Sequence, residues 1–108
     1  MFVRRDLPLA QQAIQACHAC IEMARALPPN EPHPHLVLLG IKSEVQLSSI
    51  PARLENAGIQ FQCFFDSDWN DQLMSIATLP VRGDRRKVFR RYHCLRKEPE
   101  DPDGTCSK

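Results

Sequence analysis

Two hydrophobic periodicities alternate along this chain, and their order limits the folds that it can adopt. A β-branched and aromatic opening at residues 2–7 precedes a helical repeat of apolar residues at 10–27. The nearly continuous apolar run at 36–41 is typical of a central strand covered on both faces. Three further segments follow, a helix at 43–58 and strands at 59–65 and 75–81. This order predicts one α/β domain, a small four-stranded mixed sheet with helices on both faces in three α/β/α layers.

The first helix is predicted to pack through a face of small and apolar side chains. That face comprises Ala10, Ala13, Ile14, Cys17, Cys20, Ile21, Ala24 and Leu27, and the opposite polar stripe comprises Gln11, Gln15, His18, Glu22 and Arg25. On this pattern Cys17 and Cys20 are small buried apolar groups, whereas His18 points away from them. The three side chains therefore do not chelate a metal together.

Local signals mark the boundaries of the second helix. Ser43 followed by Gln46 is a capping-box pattern, which predicts a helix start. Pro51 predicts a kink or restart, because proline removes an amide donor. Gly58 predicts the end of the helix.

Length, composition and cysteine content indicate what class of protein the chain belongs to. The 108 residues suffice for one domain, and 25% of them are charged, as in soluble globular proteins. No apolar run approaches the roughly 20 residues of a membrane span, and no secretory leader is recognisable. An odd set of five cysteines without a leader predicts reduced thiols and a cytoplasmic location. Residues 1–97 are predicted to form the domain, and the acidic stretch 98–108 a disordered tail.

Charge is concentrated in one segment, residues 82–97, which we call the basic segment. It holds eight Lys/Arg against one Asp, a net +7, although the whole chain carries only +1. The segment also contains Phe89 and Tyr92. Such a cluster favours contact with nucleic-acid phosphates over a merely solvated helix face. The predicted RNA-binding residues are Arg85, Arg86, Lys87, Arg90 and Arg91.

Two polar groups are candidates for chemistry. Gln15, His18 and Glu22 can project from one face of the first helix. Asp66, Asp68 and Asp71 follow the third predicted strand, where open α/β sheets place ligand loops. Three close carboxylates can raise a pKa or hold a cation, although an acidic surface turn is the more common outcome. The neighbouring Trp69 can plug the core or stack on a base.

Several of these pieces together resemble a known family. They are Arg4-Arg5-Asp6-Leu7, a turn, the helix with Gln15-Ala16-Cys17-His18-Ala19, and the strand running into Asp68 followed by Ile76-Ala77-Thr78. The pattern spans roughly residues 2–95 and resembles the second class of peptidyl-tRNA hydrolase, especially its divergent hydrolase-domain-like members. The resemblance implies hydrolysis of the ester between a peptide or N-blocked amino acid and tRNA, with no metal or organic cofactor.

The resemblance also implies roles for individual residues. Asp68 matches the catalytic aspartate and would orient or deprotonate water, while His18 and Gln15 would shape the site. The family carries lysines in the turn before the first helix, but residues 8–12 have none, so Arg4 or Arg5 is the candidate replacement cation. Where the family reads Ala-Gly-Arg-Thr after its aspartate, this chain reads Trp69-Asn70-Asp71-Gln72.

Two alternatives remain open at this point. One is a catalytically inactive RNA-binding or adaptor domain on the same fold, with tRNA or peptidyl-tRNA as its partner. The other is a zinc protein that recruits cysteines and histidines from distant segments, such as His33, His35, His93 and Cys94. The sequence predicts no membrane partner and leaves a homodimer open.

Overall fold

A computed structural model describes residues 1–30, 32 and 36–94. Its helices are α1 (Leu9–Arg25), α2 (Glu44–Ser48) and α3 (Ile50–Asn56), and 3₁₀ helices span Ser67–Trp69 and Gly83–Phe89. Its strands are β1 (Phe2–Arg4), β2 (Leu39–Ile41), β3 (Phe61–Asp66), β4 (Gln72–Thr78) and β5 (His93–Cys94). The predicted boundary at residue 97, the acidic tail, and His33 and His35 of the zinc alternative lie outside the described residues.

The described strands form one mixed sheet in the order β3-β4-β1-β2-β5. β1 and β2 run parallel, and the other three pairs are antiparallel. The α/β class is therefore confirmed, but the sheet has five strands rather than the predicted four. The additional strand, β5, has two residues and lies in the basic segment, where no apolar alternation indicates a strand. Its pairing with β2 is a tertiary contact that local pattern does not encode.

Helices cover both faces of the sheet, as predicted. Successive β4 residues point to opposite faces, so Ile76 packs with Leu47 and Ile50 while Ala77 packs with Ala19 and Met23. We call these the α2/α3 face and the α1 face. Val88, Phe89 and Tyr92 of the basic segment also pack against the core of the α2/α3 face.

The predicted boundary signals act as expected. The Ser43 hydroxyl accepts a hydrogen bond from the Gln46 amide (3.3 Å), which caps α2. The helix restarts at Ile50 with Pro51 in its first turn, where a proline needs no amide donor. Gly58 follows α3 at φ +72°, a conformation that glycine adopts without steric penalty.

The packing face of α1 is not the predicted one. Its buried residues are Gln12, Gln15, Ala16, Ala19 and Met23, whereas Ala10, Ala13, Ile14, Cys17, Ile21 and Ala24 are exposed. The reason is polar pairing with the sheet and the turn before the helix. The side-chain amide of Gln12 donates to the backbone carbonyl of Leu7 (2.8 Å). The Ser75 hydroxyl donates to the backbone carbonyl of Gln15 (2.7 Å). Hydrogen bonds satisfied inside the fold allow amide side chains to be buried.

The cysteine predictions also need correction. Cys17 is exposed and Cys20 is half-buried, so they are not a pair of core thiols. Cys17, Cys20 and Cys63 are free, whereas Cys94 is disulfide-bonded, so the prediction of reduced thiols throughout the chain is wrong. No helix among the described residues is both long and apolar enough to cross a membrane.

Arg4 is buried at the end of β1, and its guanidinium donates several hydrogen bonds. Its guanidinium donates to both Asp6 carboxylate oxygens (2.9 and 2.8 Å) and to Gln72 Oε1 (2.8 Å). Phe2 and Arg4 point to the same face of β1, so Arg4 lies on the α2/α3 face. Its hydrogen bonds hold the pKa of the Asp6 carboxyl below the ordinary value. Arg4 is therefore a structural cation.

Replacing Asp6 with Asn is expected to lower the free energy of unfolding by about 1 kcal/mol, because Arg4 loses a charged partner whose side chain is 40% exposed and so partly screened by solvent. Urea denaturation at neutral pH measures this difference. The Asp6 pKa is depressed in the folded state, so its contribution is present above the unfolded pKa and is lost as the pH falls through the folded pKa. Asp71→Asn, an exposed control, should leave stability within about 0.5 kcal/mol; equal effects of the two substitutions would contradict the assignment.

Candidate functional site

A polar cluster lies on the α1 face, where the end of β3 meets the middle of α1. Gln15 Nε2 donates a hydrogen bond to Asp66 Oδ2 (2.9 Å). One turn along α1, the imidazole of His18 stacks on the ring of Phe64, with centroids 4.3 Å apart and planes 6° from parallel. Phe64 and Asp66 are two residues apart on β3, so both point to α1. We call Gln15, His18, Phe64 and Asp66 the α1–β3 cluster.

Hydrogen bonds orient both carboxylate oxygens of Asp66. Oδ2 accepts from Gln15, and Oδ1 accepts from the backbone amide of Asp68 (2.9 Å). The hydrogen bond from Gln15 and then the one from Asp68 hold the pKa of the Asp66 carboxyl below its ordinary value, because both favour the charged form. Asp66 is therefore an ionised, oriented carboxylate at neutral pH.

Gln15 is the residue that fixes this carboxylate to the helix. It is fully buried, and its Nε2 donates to Gln11 Oε1 (3.2 Å) as well as to Asp66. Its side-chain carbonyl Oε1 is buried without a hydrogen-bond partner among the described residues. A buried acceptor left unpaired opposes folding. The side-chain amide of Gln15 is thus held in an orientation in which its NH2 group donates to Asp66 while its Oε1 accepts no hydrogen bond from the described residues.

The aspartate matched by the resemblance, Asp68, lies beside this cluster. It is exposed in the 3₁₀ helix Ser67–Trp69, and its backbone amide donates the hydrogen bond to Asp66. The structure thus brings Gln15 and His18 to Asp66, a residue that the motif comparison passed over. The period-two alternation of β3 was the signal that could have found it, because it places Asp66 on the same face as Phe64.

The two candidate replacement cations differ in position. Arg4 lies on the α2/α3 face, bound to Asp6 and Gln72. Arg5 is exposed in the turn between β1 and α1. The carboxyl ends of β1 and β3 lie on the same side of the sheet. Both strands pair antiparallel with β4, in which Phe2 pairs with Ile76 and Asp66 pairs with Gln72. Two strand spacings of about 4.8 Å separate them, so Arg5 is an exposed cation at the same edge as Asp66.

The basic segment crosses the α2/α3 face of the sheet. The Phe2 ring contacts Phe89 and Tyr92, with centroid distances of 5.9 and 5.2 Å, and the Arg53 guanidinium donates to the Tyr92 hydroxyl (3.4 Å). These contacts anchor the segment through its apolar residues. All five predicted RNA-binding residues are exposed: Arg85, Arg86, Lys87, Arg90 and Arg91.

Arg85 of the basic segment and the α1–β3 cluster lie at opposite ends of β3. Arg85 Nη1 donates to the Gly58 carbonyl (3.0 Å), just before β3 begins, whereas Asp66 ends that strand. Beside Arg85 is an open groove of about 400 Å³, lined in part by Gln60, Pro80 and Arg82. Six strand residues span about 20 Å. A ligand that contacts both Arg85 and Asp66 must therefore span about 20 Å.

Within the described residues, no group of three or more His, Cys, Asp or Glu side chains is placed to hold a metal ion. Comparison with known protein families finds no matching family, and no curated protein matches the chain.

Replacing Gln15 with Leu is expected to raise the pKa of the Asp66 carboxyl toward its ordinary value, since the hydrogen bond from Gln15 is the largest cause of the depression. Leucine has a similar volume and removes the unpaired Oε1, so the fold should tolerate the change. Carboxyl ¹³C NMR titration measures the shift. Gln60→Leu, at the other end of β3, should not move it; an unchanged Asp66 pKa in the Gln15 variant would contradict the assigned cause.

Proposed function

We propose that this chain is a peptidyl-tRNA hydrolase-like esterase that acts in the cytoplasm, in the service of translation. The observation that carries the proposal is an ionised carboxylate, Asp66, oriented by the buried Gln15 amide one helical turn from His18. The sequence resemblance supplies the substrate class, a peptide or N-blocked amino acid esterified to tRNA. The proposal moves the role of the catalytic aspartate from Asp68 to Asp66, and keeps His18 and Gln15 as residues that shape the site.

In this mechanism Asp66 orients a water molecule toward the ester carbonyl carbon. The water oxygen attacks, and the tetrahedral intermediate collapses with release of the 3′ oxygen of the ribose. One proton of the water passes to that oxygen, which leaves intact tRNA and a carboxylic acid that releases its remaining proton to solvent. A carboxylate with a lowered pKa is a weak base, so positioning of the water contributes more than proton abstraction. Arg5 is the cation that would stabilise the developing oxyanion.

The exposed arginines and lysine of the basic segment would hold phosphates of the tRNA backbone. Such contacts are electrostatic and need no exact geometry, so the separation from Asp66 is compatible with a large substrate. The RNA would bind across the α2/α3 face and reach Asp66 around the β3 edge. Arg85 also has a structural role, because its guanidinium donates a hydrogen bond to the Gly58 carbonyl.

Incubation of the pure protein with N-blocked aminoacyl-tRNA tests the proposal. We expect enzyme-dependent release of the blocked amino acid, with tRNA recovered intact and rechargeable. The product distinguishes ester hydrolysis from RNA cleavage. Hydrolysis no faster than that of the protein-free control would reject the esterase.

A second candidate function is tRNA binding without turnover. Two observations favour it. Arg4 is bound in a structural ion pair and so is not free to stabilise an oxyanion, and the lowered pKa of Asp66 makes this carboxylate a weak base. This candidate predicts tRNA affinity that falls steeply with salt and no hydrolysis. Affinity independent of salt would remove the phosphate contacts from both candidates.

A further inference from the structure

The outer face of α1 is apolar and exposed, although the helix is otherwise well packed. Leu9, Ile14 and Ile21 are 56%, 46% and 52% exposed. The exposed set also includes Ala10, Ala13, Cys17 and Ala24. These seven residues, which we call the outer α1 face, form a stripe along a 17-residue helix. Contiguous exposed apolar surface marks an interaction site in soluble proteins.

The charge pattern indicates what kind of surface fits this face. No Asp, Glu, Lys or Arg occurs between Leu7 and Ile21, whereas 25% of the whole chain is charged. An apolar, uncharged surface complements another surface of the same kind and excludes the phosphate backbone of RNA. The outer α1 face is therefore separate in chemistry from the proposed tRNA contacts.

The order of side-chain sizes makes this face complementary to itself. In an antiparallel helix pair with a twofold axis at Cys17, a residue a given number of positions before Cys17 faces the residue the same number after it. Ala13 then faces Ile21 of the second copy, and Ile14 faces the half-buried Cys20. Ile14 and Ile21 each meet a small side chain, Ala10 meets Ala24, and Leu9 lies opposite the exposed Arg25 at the rim of the helix pair. Such pairing of large with small lets two helices interdigitate closely.

We propose that the outer α1 face binds a second copy of this chain, forming a homodimer with Cys17 next to its twofold axis. Seven side chains on one helix bury less area than a standard interface, so the dimer is expected to dissociate with a Kd of about micromolar order. At the close approach of two helices, about 8 Å between axes, the two Cys17 thiols come within disulfide distance.

Analytical ultracentrifugation of the full chain over about a thousandfold range of concentration around that Kd tests the dimer. Ile21→Glu places a carboxylate in each half of the interface and should weaken dimerisation by at least about a hundredfold, with unchanged circular dichroism. Val45→Glu is the matched control, because Val45 is 80% exposed on α2, outside the proposed face. It should dimerise like the wild type.

Mild oxidation provides a second readout that does not depend on affinity. The wild type should form a covalent dimer that Cys17→Ser abolishes and Cys63→Ser retains. A monomer at all concentrations would overturn the proposal. In that case, protection of Cys17 from alkylation would indicate that other residues of the chain cover the outer α1 face. A reactive Cys17 would indicate that the face is open to another protein. A dimer that survives Ile21→Glu would place the interface elsewhere.

Discussion

Asparagine in place of Asp66 is expected to lower the turnover of N-blocked aminoacyl-tRNA by about a hundredfold, the order of loss that follows when a reacting group is no longer held in position. Asparagine is nearly isosteric, but its single side-chain oxygen can accept the hydrogen bond from Gln15 or the one from the Asp68 amide, not both. The fold should remain intact while the charge that orients water is lost. Single-turnover hydrolysis measures the effect, and thermal unfolding verifies that the variant is folded at the assay temperature, with a loss of about 1 kcal/mol expected from the missing hydrogen bond.

Asp68→Asn is the matched control for this experiment. Asp68 is exposed and its backbone amide, not its side chain, supports Asp66, so its substitution should change turnover by less than about threefold. A larger loss from Asp68→Asn than from Asp66→Asn would restore the assignment made from the sequence motif. Equal activity of both variants and the wild type would remove carboxylate chemistry from this loop.

Phe2→Ala is expected to destabilise the protein by about 3–5 kcal/mol, because it empties the centre of the α2/α3 face. Phe2 is fully buried and touches both Phe89 and Tyr92. A loss of this size is a large share of the stability of a small domain. Urea denaturation gives the change in free energy, and hydrogen exchange should show the basic segment opening first, since Phe2 anchors it.

Phe65→Ala is the control for the same chemical change. Phe65 is 56% exposed at the end of β3, so its truncation should alter stability by less than about 1 kcal/mol. Similar losses from both substitutions would contradict the position of Phe2 in the core. A large loss from Phe2→Ala without increased exchange at residues 83–92 would contradict the anchoring of the basic segment.

The elements that the sequence predicted correctly are those whose signals are local. The strand β2, which begins at Leu39 rather than at residue 36, the Ser43 cap, the break at Pro51 and the end at Gly58 each depend on a few adjacent residues. Such signals act through backbone geometry and capping, which neighbours along the chain determine. The strand β5 has no such signal, and only the exposed backbone of β2 defines it.

The orientation of α1 shows why the site was only partly predictable. Its apolar periodicity was real, but the face that it defined is exposed, because Gln12 and Gln15 find hydrogen-bond partners inside the fold. Periodicity measures how residues are distributed around a helix, not what the opposing surface offers. The same limit applies to the two aspartates: the contact between Asp66 and Gln15 spans 51 positions of sequence, so no local pattern reveals it.

The sequence by itself determined the order of helices and strands, the α/β class and the concentration of positive charge in one segment. Only the tertiary structure decided which side of α1 is buried, which aspartate meets Gln15, and that the basic segment and Asp66 occupy opposite faces of the sheet. The physical reason is that turns, caps and charge density are properties of neighbours along the chain. Burial and hydrogen-bond pairing are properties of surfaces that come together only on folding.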